Sequence, residues 1–114
     1  MPYSVTITNL ASGGQLGCSN PIKVDYTQPP DVGTSWVVLT IPGAMVMITP
    51  NGFQVSNTAG TLTFQVVFPP ATSVSGKTVS ATITNGGTPQ ASDAKTNISA
   101  VCPAPTPGSS SDSD

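Results

Sequence analysis

The sequence predicts an all-β chain folded as a two-sheet antiparallel sandwich of about seven to eight strands. Three observations carry this expectation. Apolar residues recur with period two in short runs, the signature of strands buried on one face. Eleven glycines and twelve prolines interrupt those runs at short intervals, so no window sustains an amphipathic helix longer than about three turns. The chain is 37% hydrophobic but only 7% charged, and its Val, Ile and Thr suit pleated surfaces. At 114 residues it has room for one domain. That domain is expected over 1–102, followed by a Pro/Ser/Asp-rich linker or tail over 103–114.

The elements follow in order. Tyr3, Val5 and Ile7 alternate with polar residues and predict a strand over 3–8. Ile22, Val24 and Tyr26 predict the next. The run from Ser35 to Ile41 is apolar on both faces, which indicates a central strand or a covered outer face. Here Trp36 is assigned to the core, while Val37 and Leu39 fall on the outer face. Segments 44–49 and 52–56 are expected to pair as a hairpin through Thr49-Pro50-Asn51-Gly52, a sequence suited to a tight turn. Leu62, Phe64, Val66 and Phe68 mark a strand over 61–68, and Val79, Ala81 and Ile83 mark one over 77–84. Asn85-Gly86-Gly87 reads as a turn. The last strand, over 93–101, is expected to bury Ala94, Ile98 and Ala100.

The charge inventory narrows the chemistry. The chain has three lysines (Lys23, Lys77, Lys95), five aspartates, no arginine, no glutamate and no histidine, for a net charge of −2. Three scattered lysines do not build the basic stripe that displaces counterions from phosphate, so nucleic acid is not expected as a partner. Without histidine there is no Ser–His or Cys–His nucleophile. Asp25, Asp31 and Asp93 are far apart in sequence and do not suggest a carboxylate pair. No catalytic residue, cofactor or metal is expected. Two cysteines without histidine do not supply four tetrahedral ligands. No apolar run approaches the roughly 20 residues needed to span a bilayer, so no membrane insertion is expected. Met1-Pro2-Tyr3 leads straight into a strand-like run, with no charged and apolar leader pattern.

The run Thr61-Leu-Thr-Phe-Gln-Val-Val-Phe-Pro-Pro, followed by Ser75-Gly-Lys-Thr-Val-Ser-Ala-Thr-Ile-Thr, resembles the late strands of bacterial and phage immunoglobulin-like modules. The similarity covers residues 3 to 102 as strand order. It departs from the antibody-type pattern, because Val24 and Ala81 stand inside the strands that such domains bridge, and no tyrosine precedes Ala81 at the corner position. The resemblance implies a repeated or appended module for spacing, adhesion or virion decoration, with no catalytic residues. In that topology the first and last strands run parallel at one edge. This places Cys18 and Cys102 at the same pole and makes a disulfide between them reasonable.

Two further motifs are weighed. Lys23 and Asn97 have the order of an intramolecular isopeptide pair, but their alternation places both outside the core where such a bond forms. Asn97-Ile98-Ser99 matches a glycosylation sequon. For carbohydrate, the aromatic candidates are Trp36, Tyr3, Tyr26 and Phe53, and the alternation packs most of them inward. The outer apolar set Val37, Leu39, Met45, Met47 and Val67 is the candidate partner surface, for a protein partner or self-association. The expectation is a non-catalytic structural or interaction module located extracellularly, at a cell surface or on a virion. The alternative is a carbohydrate- or small-ligand-binding module.

Overall fold

The structure, a computed structural model, describes residues 3–104; the expectations for 105–114 lie outside the described residues. Nine strands form two sheets, and no helix occurs among the described residues. They are β1 (Ser4–Ile7), β2 (Gln15–Leu16), β3 (Ser19–Thr27), β4 (Ser35–Thr40), β5 (Met47–Thr49), β6 (Phe53–Val55), β7 (Ala59–Val67), β8 (Thr72–Asn85) and β9 (Thr88–Cys102). One sheet has the order β1-β3-β7-β5 and the other β2-β9-β8-β4-β6. The arrangement is consistent with a β-sandwich. The count exceeds the expected seven to eight because β2 is a two-residue strand lying parallel to β9 at Ser99 and Ala100, too short to show a period.

The registers define two poles. β3 starts and β7 ends at one of them, where Ser19 faces Val67, and Thr72 faces Cys102 there. Cys18 and Cys102 are joined by a disulfide at this end. At the other pole Ser4 faces Thr27, Trp36 faces Thr84, and Gly86 and Gly87 turn β8 into β9. Both turn glycines have positive φ, 61° and 81°, the combination that a two-residue turn needs to match strand twist. The chain therefore enters the described domain at the hairpin pole and leaves it at the disulfide pole.

Between the sheets lies a continuous core. Ile22, Val24, Phe64 and Val66 enter from one sheet, and Val37, Val79, Ile83 and Ile98 from the other, each 2% exposed or less. This corrects the reading of β4. Val37 and Leu39 are core residues at 0% and 3% exposure, whereas Trp36 points outward at 41%. The side chain of Trp36 lies against Gly52, where an added Cβ would stand 2.6 Å from the ring. A run apolar on both faces carries no parity of its own. The inward side of β4 is set by its partners, with Val37 opposite Ile83 and Leu39 opposite Ala81.

The expected hairpin through Pro50 is also corrected. β5 pairs with β7 in one sheet, and β6 pairs with β4 in the other, so Thr49-Pro50-Asn51-Gly52 crosses between sheets. Split in this way, the two short strands cover one edge on each sheet, on β7 and on β4, where a hairpin would have covered only one. Ala94 is a third correction: it is exposed. In β8 an extra residue beside Gly76 (φ 67°) is offset by one in β9 beside Asn97 (φ 55°). These paired bulges reverse which residues face inward. Val79, Ala81 and Ile83 are buried in β8, while Asp93 and Lys95, rather than Ala94, become partly buried in β9. β8 and β9 also run beyond the limits that periodicity suggests, β8 starting at Thr72 and β9 at Thr88.

Candidate functional site

The proposed partner surface divides in two. Val37 and Leu39 belong to the core, but Met45 (81% exposed), Met47 (67%) and Val67 (39%) remain at the surface. They lie together because β5 is the outermost strand of its sheet and Met47 sits directly opposite Val67. With Val46 and Pro69 they line a shallow groove of about 290 Å³. A second groove of about 380 Å³ begins at Met45 and runs along Pro69 to Val74. Its wall includes Thr72, the register partner of Cys102. The apolar methionine edge therefore adjoins the point where the chain leaves the disulfide pole. Lys77 reaches the same region and donates from Nζ to the Gly43 carbonyl at 3.1 Å.

The acids are dispersed among structural tasks. Asp25 accepts a hydrogen bond from Thr61 Oγ1 across β3 and β7 at 2.6 Å. Asp93 Oδ2 accepts from the backbone N–H of Ile7 at 2.8 Å and lies 3.6 Å from Lys95 Nζ. By reaching from β9 to β1, Asp93 ties the two sheets together and satisfies an amide on an edge strand. Asp31 is exposed in the loop after β3. Among the described residues no three His, Cys, Asp or Glu side chains gather into a metal-binding group.

Aromatic side chains do not assemble a platform. Trp36 is exposed on the outer face, but Tyr26 is buried, and Tyr3 and Phe53 pack against the core. Phe53 meets Phe64 edge-on, with centroids 5.0 Å apart. Lys23 and Asn97 are both exposed, on strands of different sheets.

A polar cluster at the hairpin pole was not singled out from sequence. Gln28 is 1% and Ser35 2% exposed. Gln28 Nε2 donates to the carbonyls of Asn57 at 2.9 Å and of Gly33 and Val55 at 3.3 Å, and Ser35 Oγ donates to Gln28 Oε1. Asn85 Nδ2 donates in turn to Ser35 Oγ at 3.0 Å and to the carbonyls of Val32 and Thr34. Three side chains thus fasten the β3–β4 loop, the end of β6 and the β8–β9 turn. A signal existed: Gln28 continues the inward series Ile22, Val24, Tyr26. A polar residue on a buried parity needs internal partners, and here it has them.

Among the described residues no helix is long and apolar enough to cross a membrane. The chain matches no protein-family model and no curated protein sequence.

Proposed function

We propose that this chain is a non-catalytic immunoglobulin-like module that spaces, displays or attaches at a bacterial or virion surface. The observation that carries the reading is the path of the chain. It enters at one pole and leaves at the other, beside an exposed apolar edge and through a disulfide-clamped strand. Such a path sets neighbouring segments apart by the length of the domain, and the methionine edge offers a contact near one end. Strand order supports the immunoglobulin-like assignment: β1-β3-β7-β5 corresponds to A-B-E-D, and β9-β8-β4 to G-F-C. One departure is the order of the short strands, since the D-like β5 precedes β6, which extends the other sheet.

A sugar-binding module is the second reading, favoured by Trp36 alone. Its exposed side chain lies beside Gln54 and Thr84 in register.

The test combines thiol labelling of the unfolded, non-reduced protein from its producing cells with a glycan panel. Blocked cysteines and no glycan retention are the expected result. Free thiols would overturn the disulfide and an exported cell-surface location, leaving the virion part of the reading, and glycan binding abolished by Trp36→Ala would replace the reading with the second one.

A further inference from the structure

The chain contains two Asn-Gly dipeptides, Asn51-Gly52 and Asn85-Gly86, and the fold treats them differently. In this dipeptide the glycine nitrogen can attack the asparagine side chain with little steric hindrance, because glycine has no Cβ and a wide φ range. From the surroundings of the two sites we infer that Asn51 is a site of spontaneous deamidation and that the fold protects Asn85.

Asn51 is exposed in the crossover from β5 to β6. It stands at the rim of an open groove of about 360 Å³ shared with Pro42 and Ile48. Among the described residues no hydrogen bond holds its side chain. Asn85 is held on every side. Its Nδ2, the leaving group of the reaction, is bound to Val32 O at 3.2 Å, Thr34 O at 3.3 Å and Ser35 Oγ at 3.0 Å. Its backbone is paired with Thr88 across a turn whose two glycines are fixed at positive φ. Reaction at Asn85 requires that cluster to be broken first, whereas at Asn51 no side-chain hydrogen bond has to be broken.

The chemistry consumes one water and releases ammonia. The Gly52 nitrogen bonds to Asn51 Cγ, the Cγ–Nδ2 bond breaks, and the amide proton of Gly52 leaves with the departing ammonia. Water then opens the cyclic imide at either carbonyl, giving aspartate or isoaspartate. Either product places a new negative charge between the sheets' connecting strands, and isoaspartate also lengthens the backbone by one carbon. Gly52 lies against Trp36, the only tryptophan of the chain. Its emission therefore reports the change.

The experiment ages the oxidised full chain in warm, mildly alkaline buffer, with a parallel sample unfolded in urea. Peptide mass mapping follows each asparagine while tryptophan emission is recorded. In the folded protein Asn51 is expected to convert about ten-fold faster than Asn85 or more, given the hydrogen bonds that must be lost at Asn85. In urea the two rates should converge. Asn51→Gln should remove both the product and the drift in emission. An intact Asn51 in the folded protein, an Asn85 that keeps pace with it, or a rate gap that persists in urea would each overturn the inference.

Discussion

Gln28 shows how one residue ties local pattern to stability. Its side chain answers carbonyls of three separate residues, and its Oε1 accepts from a hydroxyl that is itself buried. Replacement by leucine fits the parity of the strand but strands these groups without partners. Buried polar groups left unsatisfied cost about 1–3 kcal/mol. Gln28→Leu should therefore lower the unfolding free energy by about that amount, seen as a lower urea midpoint with little change in the slope of the transition. An unchanged midpoint would show that water replaces the lost partners. Trp36 teaches the reverse lesson. Its place on the third strand suggested the core, but its neighbours in the ladder face outward with it, and the glycine at position 52 leaves it a place to rest. Alternation alone does not decide burial when residues on both sides of a strand are apolar.

At the scale of elements, strands with one clear apolar face were legible from sequence, and strands altered by irregularities were not. β3 and β7 keep Ile22, Val24, Phe64 and Val66 inside as period two requires. β8 and β9 contain bulges that shift parity midway, and a period-two reading carried through a bulge assigns the wrong face, as at Ala94. Asn97 is the hinge of this effect, being a non-glycine residue with φ of 55°. Asparagine tolerates the left-handed region better than β-branched residues do. Asn97→Val should cost about 1–2 kcal/mol, whereas Asn97→Gly should leave the thermal midpoint nearly unchanged. Equal melting of both variants would show that the bulge relaxes at no cost. The crossover at Pro50 was missed for a different reason: turn residues announce a reversal, but they do not say which sheet receives the next strand.

For the whole molecule, the two cysteines were legible as a pair because both stand at strand ends of the same pole. The bond joins residues 84 apart in sequence. In the chain-entropy account, a loop of that size restrains the unfolded state by about 4–5 kcal/mol. Cys18→Ala combined with Cys102→Ala should lose up to that much stability in denaturant melts. A loss near zero would mean that the reduced unfolded chain is already compact. The methionine edge was only partly legible. Met45, Met47 and Val67 reach the surface together, but they were grouped with Val37 and Leu39, which the other sheet claims for the core. Linear sequence shows which residues are apolar, not which sheet face will be covered.

The disulfide also determines how the domain carries a mechanical load. Tension applied at Tyr3 and Ala104 passes through Cys18 directly to Cys102, so the residues between them are shunted out of the load path. Most of both sheets lies in that shielded interval, and only β1 and β2 lie in the stretch of chain that tension can extend. β1 would be pulled in shear along β3, because its first residue is drawn from the hairpin pole while β3 is anchored beside Cys18. With the bond intact, the 15 steps from Tyr3 to Cys18 could release on the order of 50 Å of chain; cutting the bond would free the 84-residue interval, on the order of 290 Å. In single-molecule extension, reduction should convert a short, early-arrested lengthening into a long one. The bond thus makes the domain an overload stop, with compliance confined to its first strands.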